Sequence, residues 1–417
     1  MLAAGALIAA GAAHTPSLLP ESIRPAPGWL QGAFGAVHLD LHVAGTIATL
    51  TLMFGAYALV VHRATEINPR TVMIAVVVLD LLMLLAPPLV STDVFSYQAY
   101  GRMGAHYGVD PYLNGPIAIR LDPIFPYVGA KWSSIPTTYG PVFTAAGYLL
   151  APLGVASSVI AYKSIATAAG LGVVSLVRRC ARLRKLDPSR AIAVVGLNPL
   201  FAVYGIGGGH NDLLMLLAVA AALTALIERR DAGGGLSSLL AAGIKLTGGL
   251  LLLFALADRT APHNTSGRRN LLLGSVAGLA LITGLSVAVF GTGPLHLFST
   301  IGRAQSAGDW LSISGALREK LGLQLIGRAV GDALIGGFGL VCVGLLVCVR
   351  RGVIDWIDGA GWATLAMLVA SSALLPWYVA WALPLVALSR GARLRAAALW
   401  LSGIVLGVEL LGSIPHG

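Results

Sequence analysis

Apolar stretches of about 20 residues recur along the whole chain, and each is long enough to cross roughly 30 Å of hydrocarbon. Examples are TVMIAVVVLDLLMLLAPPLV at 71–90 and LLLGSVAGLALITGLSVAVF at 271–290. Lipid cannot satisfy a free backbone N–H or C=O, so such runs must be helical. Composition agrees: 56% of the 417 residues are hydrophobic and 11% charged, whereas a soluble chain carries roughly 25% charged residues. The expected fold class is all-α, a polytopic transmembrane helix bundle of about 11–13 membrane segments.

A net charge of +10 raises the question of nucleic acid, and the placement of the charge answers it. Of the 28 Lys/Arg, 18 fall in short loops on what would be one side of the membrane. They are Arg63, Arg70, Arg178, Arg179, Arg182, Arg184, Lys185, Arg190, Arg229, Arg230, Arg259, Arg268, Arg269, Arg350, Arg351, Arg390, Arg393 and Arg395. This is the positive-inside bias, which makes that side cytoplasmic; the expected location is the plasma membrane, as a multi-pass protein. Basic loops follow from membrane insertion, so no nucleic-acid partner is expected.

The whole chain, 1–417, reads as one integral membrane domain. Residues 91–140 form a long outer segment, and Pro141 to Gly154 a half-helix after it. Residues 236–257 have basic loops at both ends and are expected to form a re-entrant hairpin, with Lys245 near its tip. Residues 291–323 form a second outer loop. The first stretch, Leu2 to about Ala13, lacks a basic n-region and reads as a short first helix, not a signal peptide. Cys180, Cys342 and Cys348 show no paired spacing and read as free thiols. No P-loop or dinucleotide fingerprint is present, so energy from ATP is not expected to enter through this chain.

Polar chemistry gathers at the outer ends of the helices. The segment STDVFSYQAYGRMGAHYGVDPYLNGP carries Asp93, Tyr97, Tyr100, Arg102, Asp110 and Tyr112. Tyrosine combines a flat apolar face with a hydroxyl, which suits a sugar ring or a membrane surface. Asp93 directly follows the apolar run 79–90. A carboxylate there can cap the helix from Val94 onward, or carry a raised pKa and act as a general base. Gly207-Gly208-Gly209-His210-Asn211-Asp212 forms an outer turn, in which Asp212 is either a cap or part of a site. Lys245 is an intramembrane cation whose natural partner is an anion such as a lipid phosphate, with snorkelling the plainer alternative. Lys163 reads better as structural. Pro376-Trp377-Tyr378 marks an outer helix start that can be an aromatic girdle. Arg303, with Gln305 and Asp309 to Ser312, forms a softer cluster in the second outer loop.

Taken together, these motifs resemble a known family. Asp93-Val94-Phe95-Ser96-Tyr97 through Gly108-Val109-Asp110-Pro111-Tyr112, with Tyr139-Gly140-Pro141, is similar to the first luminal loop of polyprenol-phosphomannose-dependent α-1,6-mannosyltransferases of actinobacterial cell envelopes. Asn198-Pro199-Leu200 followed by His210-Asn211-Asp212, and Pro376-Trp377-Tyr378 followed by Trp381-Ala382-Leu383-Pro384, match that family's later signatures. The Trp310-Leu311-Ser312 element is similar too.

The resemblance implies a GT-C type membrane glycosyltransferase that takes a sugar, mannose in this family, from a polyprenyl-phosphate carrier on the non-cytoplasmic face. It maps the essential first-loop carboxylate onto Asp93. The acceptor would be a cell-envelope glycan or glycolipid, and the lipid donor would enter sideways from the bilayer. Lys245 or Arg303 would neutralise its phosphate, so no metal or other cofactor is demanded. Tyr97, Tyr100, Arg102, Asp110, Tyr112, His210, Asn211, Asp212, Trp377 and Tyr378 complete the expected substrate-binding set. The competing reading is a transporter or flippase of a polar lipid, which also uses intramembrane charges and broken helices.

Overall fold

The computed structural model describes residues 1–258, 265–307 and 309–414. Arg259, counted above with the basic loops, lies outside the described residues. So does Gly308 of the second outer loop. The elements run in the order α1 (Leu2–Gly11), α2 (His42–Arg63), α3 (Pro69–Leu85), α4 (Asp93–Tyr107), α5 (Pro141–Leu150), α6 (Val155–Leu183) and α7 (Pro188–Gly196). A π-helical stretch at Leu200–Ile206 leads to α8 (Asp212–Ile227), α9 (Asp231–Ile244), α10 (Leu250–Ala257) and α11 (Thr265–Phe290). Then come α12 (Leu297–Ala307), α13 (Ile313–Glu319), α14 (Gln324–Arg350), α15 (Trp356–Ala370), α16 (Leu383–Leu388) and α17 (Ala392–Gly412). Short 3-10 turns join them, among them Leu246–Gly249 and Pro376–Trp381.

Local chemistry sets the boundaries. Asn68 accepts from Arg70 N and Pro69 occupies the first turn of α3; Asp187 and Pro188 do the same for α7. Pro87 and Pro88 stop α3 from continuing. The mean packing layer is built from α6, α7, the π-helical stretch and α8, where Val173, Val177, Ile192, Phe201, Leu213 and Leu216 are buried.

Among the described residues, five helices are long and apolar enough to cross a membrane: His42–Glu66, Val155–Leu183, Ser266–Phe290, Gln324–Arg350 and Ala392–Gly412. α7 and the π-helical stretch meet at a bend of 44° and make a sixth if the pair is counted as one span. The remaining apolar runs fold as shorter helices, including Pro141–Leu150, Asp212–Ile227 and Trp356–Ala370. The chain is thus a polytopic helical bundle. The expected 11–13 segments do not all become full crossings, because Pro, Gly and buried polar groups divide several apolar runs. Leu52, Leu279, Leu340 and Trp400 point outward on the long helices, a surface that lipid covers and water would not favour.

The two ends of the bundle differ chemically. At one pole Arg179 pairs with Glu228 and Arg184 with Asp355, and Arg390 donates to Arg184 O. At the other pole lie the first residues of α4 and α8. Between them, α9 runs from the basic pole to Lys245, where the chain reverses: a Cβ on Gly248 would meet Ala241 at 2.8 Å. Ala255 of α10 then packs with Leu226 at the end of α8 and Leu271 near the start of α11. This places both ends of 231–257 at the basic pole, with Lys245 at the turn.

Candidate active site

Asp93 and Asp212 are the first residues of α4 and α8, where the helix dipole favours negative charge. Capping is not what they do. Thr92 and Asn211 occupy the cap positions, and neither helix has a side-chain cap bond. Asp93 Oδ2 lies 3.3 Å from His210 Nδ1 and accepts from Tyr97 Oη at 3.4 Å. Tyr97 Oη is also 3.2 Å from Asn211 Oδ1 and accepts from Asn211 N at 3.3 Å. One turn of α4 carries both Asp93 and Tyr97, which is why an i, i+4 pair clasps the His210-Asn211 turn.

The turn reaches this position because of its glycines. Gly209 has φ +68°, in the left-handed region, and a Cβ on Gly208 would collide with the His210 ring and Tyr204 O. Behind it, the buried Lys163 donates to Ala86 O and Pro87 O, closing the end of α3 that leads into Asp93. Lys163 is therefore structural, as the sequence reading favoured.

Lys245 adopts an extended backbone at the end of α9 and donates to Asp212 Oδ1 at 2.7 Å. Trp381 Nε1 donates to the same oxygen at 2.6 Å. The ammonium lies 4.3 Å from the Tyr378 ring centroid and 4.9 Å from that of Trp381, and these two rings stack at 4.1 Å. Trp377 stacks on His210 with centroids 3.7 Å apart. The side chain of Asp212 is fully buried, whereas Asp93 and Lys245 each keep 13% of their side-chain surface open. His210 Nε2, Asn211 Nδ2, Asp212 Oδ2 and Trp377 Nε1 are buried without a hydrogen-bond partner among the described residues. Orphaned polar groups concentrated in one place are what a ligand-binding site presents.

A cavity of about 280 Å³ opens beside Lys245. The hairpin turn contributes Lys245 and Thr247, the first outer segment Lys131, Trp132 and Thr138, and the second outer loop Gln305 and Asp309. Tyr378 and Trp381 supply the aromatic wall. Asp309 N donates to Ser372 O at 2.9 Å, and Gln305 Oε1 accepts from Ser372 Oγ at 2.8 Å, which docks the second outer loop onto the segment before Pro376. Two cations, aromatic faces and a few convergent polar groups make a cavity suited to a phosphate and a sugar.

Asp93 departs from one expectation. Burial works to raise its pKa, but the hydrogen bond and charge of His210, the charge of Lys245 and a bond from Ser91 outweigh it, and the net shift is downward. The raised value anticipated from a boundary carboxylate does not occur, because His210 and Lys245, distant in the chain, fold against it.

The structure brings Asp93, Tyr97, His210, Asn211, Asp212, Lys245, Trp377 and Tyr378 together. It keeps other expected residues apart. Arg102 pairs with Asp122 at 2.9 Å and also donates to Ala151 O. Tyr100 Oη donates to Ile135 O, while Asp110 caps its own turn at Tyr112 N. Tyr112 bonds Thr144 and packs on Phe290. Arg303 bonds Thr300, whereas Ile301, Ala304 and Gln305 of the same helix face the cavity. These five share a segment with site residues but spend their polar atoms on structure. Lys131, Trp132, Thr138 and Thr247 were missed, and Trp381 was noted only within its motif. The spacing of Trp381 from Trp377 was the available signal; the others lie in short 3-10 turns or irregular chain without a pattern.

The family model described as "Alpha-(1->6)-mannopyranosyltransferase, N-terminal domain" matches residues 1–259, and that described as "MptB C-terminal domain" matches residues 312–410. Alpha-(1->6)-mannopyranosyltransferase B of Corynebacterium glutamicum is 26% identical over 345 residues, covering 72% of this chain and 56% of the relative. Alpha-(1->6)-mannopyranosyltransferase A of the same organism is 32% identical over 134 residues, 31% of this chain and 27% of the relative. Alpha-(1->6)-mannopyranosyltransferase A of Mycobacterium tuberculosis is 26% identical over 345 residues, 76% of this chain and 65% of the relative. The chain thus spans less than two thirds of the length of these curated relatives.

Proposed function

Because the chain belongs to the alpha-(1->6)-mannopyranosyltransferase family, we propose that it moves mannose from a polyprenyl-phosphate carrier to a hydroxyl of a cell-envelope glycan or glycolipid. The reaction takes place on the non-cytoplasmic face of the plasma membrane, the side opposite the basic pole. The observation that carries the reading is the juxtaposition of Asp93, clasped by His210 and Tyr97, with Lys245 on the wall of a cavity that also holds Lys131.

The residues divide the chemistry. An acceptor O–H loses its proton to Asp93 as its oxygen bonds to the anomeric carbon. Asp93 serves better than Asp212, whose side chain is fully buried and already accepts from Lys245 and Trp381. The bond from the anomeric carbon to the phosphate oxygen breaks with its electron pair going to the phosphate. Lys245 and Lys131 neutralise that leaving group. Lys245 has three N–H donors, of which one serves Asp212 and another approaches Tyr378, which leaves a third for phosphate. The displacement is single and inverting, without a covalent enzyme intermediate. His210, held by its stack on Trp377, fixes the orientation of Asp93.

The test is to incubate purified protein with polyprenyl-phosphate mannose and a panel of mannosyl acceptors, reading products by mass spectrometry. Acceptors extended by one hexose support the reading. Carrier moved across a proteoliposome bilayer without acceptor extension overturns it in favour of transport.

A further inference from the structure

A second cavity lies outside the site. It is an apolar groove of about 660 Å³ between α14, α15 and α17. No lining residue carries a charge, hydroxyl or amide; Val341, Leu345, Trp362, Ala366 and Ile404 are representative. The groove follows α14 from Ala333 to Leu345, about 18 Å at 1.5 Å per residue, and so more than half of the hydrocarbon thickness. Its position matters more than its size. Phe338 and Ala370 line both this groove and the polar cavity that holds Lys245, so the two spaces meet at those side chains.

An apolar trough that meets a cavity with two cations matches one kind of molecule: an amphiphile with phosphate at its head and hydrocarbon behind it. We propose that the groove seats the hydrocarbon tail of the lipid phosphate whose head group meets Lys245. This rests on the reading that the donor is lipid-linked, and adds where the tail lies and which helices recognise it. The tail's apolar surface gains contacts along α14 and α15 while the head remains at the turn of the hairpin. Phe338 and Ala370 stand at the junction and set how deep the phosphate can reach.

Gly337 gives a test that leaves the fold intact. It lines the groove, and a Cβ there would meet nothing within 4 Å. In Gly337→Phe the side chain therefore leaves the helix into open space on the groove side, and replacing a helical glycine favours the helix. Gly336 has the same open surroundings but does not line the groove, so Gly336→Phe is the control. Binding of sugar-free prenyl phosphates to the purified full chain would be measured with one long-chain and one short-chain probe. Gly337→Phe should weaken the long-chain probe by about tenfold, the effect of lifting roughly two methylenes out of contact. It should leave the short-chain probe unchanged, while Gly336→Phe alters neither. Lys245→Met should weaken both probes, since both carry the phosphate. Unchanged long-chain binding in Gly337→Phe, equal weakening of both probes, or a changed oligomeric state with unchanged binding overturns the groove assignment. Because no sugar is transferred in this experiment, it is independent of the mannosyl-transfer assay, whose failure alone would strike the reaction and not the groove.

Discussion

Lys245 donates to Asp212 across 2.7 Å, joining the turn of the 231–257 hairpin to the first residue of α8. The pair does two things. It fixes the cavity wall where the hairpin turn meets the start of α8, and it places a cation where an anion can share it. A buried ion pair gives little net stability, but breaking one partner leaves an uncompensated charge.

Lys245→Met should therefore destabilise the protein by about 3–5 kcal/mol and weaken phosphate binding. The double variant Lys245→Met with Asp212→Asn should recover most of the stability, because no lone charge stays buried, yet recover none of the donor affinity. Thermal unfolding and donor KM separate the two effects.

The stack of Trp377 on His210 holds the ring against Asp93. Trp377→Phe keeps an aromatic face and should retain most activity. Trp377→Leu loses the stack, worth roughly 0.5–1.5 kcal/mol, and should lower kcat by about tenfold with donor KM little changed. Comparing kcat and KM in the two variants checks it.

The downward shift of the Asp93 pKa carries a sign for stability. A depressed folded value means the ionised form is favoured in the folded state. That stabilisation is present above the unfolded value of about 3.9 and is lost as pH falls through the lower folded value. The Tm difference between wild type and Asp93→Asn should be flat from about pH 5 to about pH 8 and shrink only below about pH 4. A difference that fades already near pH 6 would mean a raised value instead.

Sidedness can be read with thiol labelling in a background lacking Cys180, Cys342 and Cys348. Asn114→Cys lies on an exposed part of the first outer segment, and Arg351→Cys on the exposed end of α14 at the basic pole. An impermeant reagent applied to intact cells should label the first and spare the second. The reverse pattern would move the whole site to the cytoplasm.

Much of this was legible in the chain itself. Asp93, His210, Asp212 and Lys245 stand out as polar residues at the ends or middle of apolar runs, where they cost free energy and so call for a reason. Basic residues on both flanks of 236–257 were enough to suggest that the chain turns back. What could not be read was pairing. Arg102 and Asp110 look as functional as Asp93 in one dimension, and only packing shows that Asp122 and the Tyr112 backbone consume them. The same holds for Arg303, where one step along α12 decides which residues face the cavity. Lys131 and Trp132 lie in a three-residue 3-10 turn, too short for a period to betray a face, and the neutralising neighbours that lower the Asp93 pKa come from remote parts of the chain.

Single-turnover transfer by Asp93→Asn decides whether Asp93 takes the acceptor proton. The amide keeps the size of the carboxylate and can still bond Tyr97, but is no base. With donor and acceptor bound at saturation, the rate of mannosyl transfer should fall by about 10² or more while donor affinity and folding stay near wild type. Transfer at close to the wild-type rate in a folded, donor-bound Asp93→Asn protein would contradict the account and leave the proton's acceptor to be sought elsewhere.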